Sequence, residues 1–469
     1  MEKKNPLELE RKYVWDELDE AGRKELMAVG EKYKQFLSNG KTERLCAKEI
    51  IEIAEARGYK EITSYSSLKT GDKIYCTNRN KGVALAVIGE RSLTEGMNVV
   101  GSHIDSPRLD IKQNPLYEDS GMTLLKTHYY GGIKKYQWVS LPLAIYGVVV
   151  KKDGETVKIA IGDEDDDPVF FITDLLPHLA KDQMEKTMAT GIEGEALNVV
   201  IGGLPIDDKE DKARFKNSML ALLNDKYGIT EADFTSAEIE VVPAGKARDE
   251  GFDRIFVSAY GQDDKVCAFA SLDAQMEVET CGKTAVSIFV DKEEIGSYGN
   301  TGMQSEFFCD FVSELIAREN KSSFSDIMLR RCLQHSSVLS ADVCAGFDPT
   351  YASVYEPMNT AYMGKGGAVI KYTGSRGKAG SNDANAEMIG ALRKLFEENH
   401  VVFQTSELGK VDAGGGGTIA YMMADLDMDV IDLGVPVLSM HAPFELTSKA
   451  DMYMTKLAYA AFLKHFNFR

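Results

Sequence analysis

The sequence predicts an α/β fold: a three-layer sandwich on a mostly parallel sheet, interrupted by a strand-rich insertion. Three observations carry this. From about residue 251 onward, strand-like apolar runs alternate with segments of helical period, the pattern of parallel strands joined by covering helices. Residues 284–290 are almost continuously apolar, as a strand buried on both faces must be. Between about residues 106 and 248 the alternation stops, and short strand-like runs with glycine-rich turns take over. The expected division is 1–105 and 249–469 for one domain and 106–248 for a domain inserted into it. A chain of 469 residues, 44% hydrophobic and 27% charged, has the length and composition for more than one core.

Each element follows from local pattern. Thr42 is placed to cap a helix over residues 43–57, with Cys46, Ile50, Ile53 and Ala54 on one face and Gly58 as its stop. Residues 83–88 and 98–104 read as buried strands. In the insertion, residues 148–150 and 155–161 read as a hairpin closed by Asp153-Gly154 in a type I′ turn. Residues 199–203 read as a strand and the acidic run 163–167 as a loop. Further on, residues 254–260 are strand-like and 265–280 helical, with Gly282 as the stop. Residues 307–318 and 384–399 are helical, and 337–341 and 435–440 are strands.

Charge and cysteine usage exclude whole classes of function. A formal net charge of −19 repels phosphates, which argues against nucleic-acid or anionic-membrane partners. Residues 1–25 are charged and lack the apolar core of a signal peptide, and no apolar run is long enough to span a bilayer. The seven cysteines are scattered without a CxxC spacing, which predicts free thiols in a reducing, cytoplasmic compartment.

The chemistry gathers where apolar runs stop. Val99-Val100-Gly101 leads into Ser102-His103-Ile104-Asp105, and Tyr260-Gly261-Gln262 into Asp263-Asp264. Val290-Asp291-Lys292 leads into Glu293-Glu294, Leu339-Ser340-Ala341 into Asp342, and Leu438-Ser439-Met440 into His441. Ligands on open α/β sheets collect at such carboxyl ends. Singly, each has a structural explanation: a satisfied core histidine, a helix cap, a solvated acidic pair. Together they supply what two divalent cations need, imidazole and carboxylate ligands with a carboxylate to bridge them. His103, Asp263, Glu294, Asp342 and His441 make that set, with Asp264 the alternative to Asp263. Asp105, two residues from His103, is placed to accept its second N–H, and Glu293 remains as a general base. Adjacent Glu293 and Glu294 serve one site only if the chain turns there, which Gly296 permits.

The runs Gly101-Ser102-His103-Ile104-Asp105-Ser106-Pro107-Arg108, Asp291-Lys292-Glu293-Glu294-Ile295-Gly296-Ser297, Ser340-Ala341-Asp342 and Ser439-Met440-His441 resemble the aspartyl aminopeptidase family of co-catalytic zinc peptidases, in its bacterial branch. The resemblance spans nearly the whole chain. It implies a metalloaminopeptidase with two Zn2+ per subunit, Co2+ or Mn2+ substituting, acting on the N-terminal residue of peptides. His103 and Asp342 would bind one ion, Glu294 and His441 the other, and Asp263 would bridge. It further implies that the insertion mediates dimer contacts and that dimers build a homo-dodecamer. His178 is similar to a histidine that the insertion sends into a neighbouring active site, and Lys371 to a lysine that meets an acidic substrate side chain. The glycine-rich residues 373–380 lack the family's aromatic, a departure that separates the acidic preference from the rest. Two rival readings are a dinuclear zinc hydrolase of another amide and a non-catalytic scaffold. The run Asp412-Ala413-Gly414-Gly415-Gly416-Gly417-Thr418 lacks a P-loop lysine, and its N–H groups are placed to cradle substrate backbone or oxyanion instead.

Overall fold

The computed structural model describes residue 5, residues 7–321 and residues 323–468. Its centre is a nine-stranded sheet. In spatial order the strands are Lys60–Glu61, Lys73–Asn78, Gly82–Val87, Thr284–Val290, Met97–His103, Ser337–Ser340, Asp429–Gly434, Gly367–Ile370 and Phe403–Thr405. The four strands from Thr284–Val290 to Asp429–Gly434 are mutually parallel. On either side the direction reverses, at the pairs with Gly82–Val87 and Gly367–Ile370. The sheet is therefore mixed, with a parallel centre.

Alternation along these strands builds the three layers. Val83, Leu85 and Val87 enter one core, while Ala84 and Ala86 enter the other; Val100 and Val99 divide in the same way. One face is covered by Glu20–Asn39, Glu43–Ala56, Gln262–Gln275, Ala386–Glu398 and Lys449–His465. The other is covered by Phe307–Glu319, Asp326–Gln334 and Ala420–Ala424.

The helix Glu43–Ala56 forms as its cap dictates. The Thr42 hydroxyl accepts the Leu45 N–H at 3.3 Å, and Cys46, Ala47, Ile50 and Ala54 are buried. Thr42→Ala should cost about 1 kcal/mol, read as a lower urea midpoint at unchanged slope.

Three expectations are corrected. The helix expected over residues 265–280 runs from Gln262 to Gln275, with non-helical Asp263 and Asp264 in its first turn. It ends early because the chain tightens into short turns that drop Val278 into the core. The strands expected at 254–260 and 435–440 lie outside the large sheet. Phe256–Ala259 and Pro436–Leu438 both flank Glu445–Ser448 in a five-stranded sheet with Arg248–Glu250 and Cys344–Ala345. In the loop joining Leu143–Val150 to Thr156–Ile161, only Gly154 has positive φ. A type I′ turn needs two such residues, so the connection is a Lys151–Gly154 turn with a left-handed glycine.

Strands between residues 108 and 243 form the third sheet, antiparallel throughout: Thr156–Ile161, Leu143–Val150, Ala237–Pro243, Arg108–Asp119, Met122–Tyr130 and Val199–Gly202. It has its own core around Leu109, Trp138, Val149, Val199 and Val241. The helix Arg214–Tyr227 beside it has no counterpart in the sequence reading; it buries no residue fully, so its apolar stripe is weak. All seven cysteines are free thiols. Among the described residues no helix is long and apolar enough to cross a membrane.

Candidate metal centre

The large sheet and the five-stranded sheet converge on one cluster. His103 ends the strand Met97–His103, and Asp342 follows Ser337–Ser340 in the same sheet. Asp263 and His441 come from the other sheet, just after Phe256–Ala259 and Pro436–Leu438. The Asp263 carboxylate lies between the two imidazoles, with Oδ1 3.2 Å from His103 Nε2 and Oδ2 3.2 Å from His441 Nε2. On the first side Asp342 Oδ1 is 3.8 Å from His103 Nε2; on the second Glu294 Oε2 is 3.3 Å from His441 Nε2. Two groups result, His103–Asp263–Asp342 and Asp263–Glu294–His441, each with its ligand atoms within 4.8 Å of one another. Asp264 belongs to neither. Its Oδ2 accepts the backbone N–H of His103 at 3.3 Å.

Glu293 and Glu294 reach this cluster because the chain turns sharply. Residues Glu293–Ile295 form one 3-10 turn, bracketed by Lys292 at φ 70° and Gly296 at φ 89°. Asp105 holds the turn: its Oδ1 accepts the Glu293 N–H and its Oδ2 the Glu294 N–H, both at 3.2 Å. The same carboxylate faces His103 Nδ1 at 3.2 Å. Nδ1 also faces the Asp105 carbonyl at 3.1 Å. A carbonyl only accepts, so Nδ1 carries its proton and Nε2 faces the other acids. Glu293 Oε2 stands 3.9 Å from that Nε2.

Sequence reasoning missed the residues that fix these groups from behind. Tyr130 donates its hydroxyl to Asp105 Oδ2 at 2.8 Å. Glu445 accepts the N–H groups of Gln262, Asp263 and His441 and so ties the two ligand loops together. Ser106 donates to the Asp263 carbonyl at 2.8 Å and receives the buried Lys265 ammonium at 2.7 Å. Glu445 lies four residues beyond His441 at the start of a strand, a spacing that by itself signals no such role.

Burial and crowding of like charge set the electrostatics. Burial pushes the Glu293 carboxyl up to about 7, with His103 opposing and Asp263 and Asp105 adding. Burial, reinforced by Asp263, lifts Glu294 well above the carboxylate range, and burial does the same for Asp342. Burial opposes ionisation of Asp263, but hydrogen bonds to His103 and His441 hold its carboxyl well below its usual value. Burial likewise opposes charge on His441, yet Asp263 and Glu294 lift it to about 10. Glu294 Oε1 is buried without a hydrogen-bond partner. Imidazoles, crowded carboxylates and an orphaned carboxylate oxygen fit zinc, which takes N and O ligands and neutralises such a cluster.

Two further residues stand apart from the cluster. Lys371 is exposed beyond Gly367–Ile370, and no hydrogen bond or ion pair joins it to the cluster among the described residues. His178 lies in an exposed turn rather than on a helix, flanked by exposed Leu175, Leu176 and Leu179. In the glycine run, the Gly416 N–H is directed at the Thr373 carbonyl at 3.4 Å, and Thr418 anchors the run by donating to Asp432 at 2.6 Å.

Residues 36–463 match the family described as aminopeptidase I zinc metalloprotease (M18). The chain is 53% identical, over 98% of its length and 100% of the relative's, to a probable M18 family aminopeptidase 1 of Clostridium acetobutylicum. It superposes with a TM-score of 0.94 on the crystal structure of an M18 aminopeptidase from Thermotoga maritima, 44% identical, covering 97% of this chain and 100% of that one. The mApe1 dodecamer of S. cerevisiae shares the fold, with a TM-score of 0.75 at 20% identity over 93% of this chain and 96% of that one.

Proposed function

Because this chain belongs to the aminopeptidase I zinc metalloprotease (M18) family and is a zinc-dependent aminopeptidase, we propose that it works with two zinc ions per subunit. The observation that carries this is the Asp263 carboxylate spanning His103 and His441 at 3.2 Å on each side. His103 and Asp342 would hold one ion, Glu294 and His441 the other, and Asp263 both. Asp264 Oδ2 accepts the His103 N–H, and Asp264 stands in neither group of ligand atoms. When bound, the zinc pair supplies Lewis acidity, polarising the first peptide carbonyl and acidifying water.

The protein's own groups do the rest. Glu293 takes the proton of the attacking water and returns it to the departing amine, a task suited to a carboxyl lifted to about 7. Asp105 fixes the His103 ring and the Glu293 turn together. Asp105→Asn replaces one acceptor oxygen with a donor facing either an N–H or the Tyr130 hydroxyl. It should lower kcat about 10–100-fold. A steady-state assay checks this; wild-type kcat would remove Asp105 from the site's design.

Lys371 is proposed to meet acidic N-terminal side chains. Lys371→Ala should then lower kcat/KM for Asp- and Glu-aminoacyl substrates by up to about fivefold and leave Leu substrates unchanged, since one exposed ion pair is worth at most about 1 kcal/mol. Assembly into a cytoplasmic homo-dodecamer built from dimers is proposed on three supports: the free thiols, the apolar side chains around His178, and the shared fold with the yeast dodecamer. His178 would enter a neighbouring site there. The test of the whole reading is a screen of aminoacyl fluorogenic substrates, Asp and Glu included, with zinc, cobalt and manganese in parallel. Turnover of N-blocked peptides in place of free amines would overturn it.

A further inference from the structure

We propose that residues 130–132, at the end of the strand Met122–Tyr130 in the six-stranded sheet, are a positioning element of the metal centre. They set the grip of its Glu294–His441 half. The inference rests on the two-zinc reading above and assigns a residue set to it.

Three consecutive residues at this end of the six-stranded sheet each touch a different member of the site. The Tyr130 hydroxyl donates to Asp105 Oδ2 at 2.8 Å. Gly131 lies against Glu294: a Cβ there would sit 3.4 Å from Glu294 Cβ and Oε2. The Gly132 carbonyl accepts from His441 Nδ1 at 2.9 Å. A carbonyl oxygen cannot donate, so this bond places the His441 proton on Nδ1 and turns Nε2 toward Asp263 and Glu294.

The two imidazoles differ in how much else holds them. The His103 side chain is 2% exposed and locked by its own strand and Asp105, whereas the His441 side chain is 33% exposed. Burial therefore leaves His441 freer, and among the described residues the Gly132 carbonyl is its one hydrogen-bond partner at Nδ1. Gly131 cannot be replaced cheaply, because its φ is +76°, a region that side chains strain.

The segment is itself anchored. The Arg108 guanidinium lies 3.8 Å from the Tyr130 ring centroid. Buried Arg108 pairs with Asp110 at 2.8 Å, Glu240 at 3.4 Å and Glu43 at 3.7 Å. Asp110 and Glu240 belong to the six-stranded sheet, and Glu43 opens the helix Glu43–Ala56. A displacement of the six-stranded sheet would thereby reach Asp105, Glu294 and His441 at once.

The experiment compares wild type, Tyr130→Phe and Gly131→Ala. Zinc equivalents and affinity are measured by competition with a chromophoric chelator, and the cobalt-loaded proteins by visible absorption and by kcat and KM. Outer partners of metal ligands are typically worth about 10–100-fold in affinity. Tyr130→Phe, which keeps the ring under Arg108, should lose about that much zinc affinity and alter the cobalt spectrum. Its kcat should fall at unchanged KM. Gly131→Ala should retain one zinc equivalent firmly and release the other. If Gly131→Ala does not fold, Tyr130→Phe decides alone. Wild-type zinc affinity and an unaltered cobalt spectrum in Tyr130→Phe would overturn the inference. Failure of the two-zinc reading shows separately, as a wild-type stoichiometry other than two.

Discussion

Glu293→Gln loses about 10²–10⁴-fold in kcat while its zinc content matches wild type, because the amide cannot take a proton yet leaves both groups of ligands intact. The neighbour behaves differently. Glu294→Gln removes charge from the group that contains His441, so it should lose zinc first and activity as a consequence. The two substitutions are chemically identical and one residue apart. Their contrast depends only on the turn Glu293–Ile295, which aims adjacent side chains at one cluster with Asp105 accepting both N–H groups. Elemental analysis beside steady-state kinetics reads both quantities. A Glu293→Gln protein that keeps a tenth of wild-type kcat, or that loses its zinc, removes Glu293 from the role of base.

That turn also shows what the sequence could and could not reveal. The need for it was visible, since two adjacent residues of a strand point apart, and Gly296 was the visible means. What holds it was not. Asp105 suggests itself as a partner of His103 by spacing alone, but its contacts to Glu293 and Glu294 span nearly two hundred residues of chain and follow from sheet order. The five ligand-bearing runs were legible as apolar segments ending in His, Asp or Glu. Their distribution over two sheets was not, because an apolar run records burial and not which strand it pairs with. Glu445 illustrates the same limit. It binds three backbone N–H groups from two loops, and nothing in a Glu four residues after a His signals that. The Asp153-Gly154 pair shows a local miss: the dipeptide favours a two-residue turn, but a loop spanning residues 151–155 needs only one positive φ.

Stripping the metal should abolish turnover, and the stability regained on adding zinc should grow with pH. In the metal-free protein, burial opposes the charge on His103 and His441, but the surrounding carboxylates raise both, His441 to about 10. A histidine raised in the folded state contributes stability that is full below its ordinary value of 6.5 and is lost as pH climbs through about 10. Burial likewise raises Glu294 and Asp342, so their protonated forms favour the fold at low pH and that contribution also fades as pH rises. All four shifts act in one direction: the metal-free protein is weaker at pH 8 than at pH 6. Zinc must displace these same protons, so its affinity should rise about tenfold per pH unit for each proton released. At a fixed zinc concentration near a thousand times Kd, binding is worth about 4 kcal/mol, and every decade of Kd adds about 1.4. The gap in Tm between stripped and zinc-loaded protein should therefore be wider at pH 8 than at pH 6, with proton release measurable in weakly buffered titrations. A gap that narrows with pH would mean that the imidazoles and carboxylates of this cluster are not what zinc displaces, and the ligand assignment would fall with it.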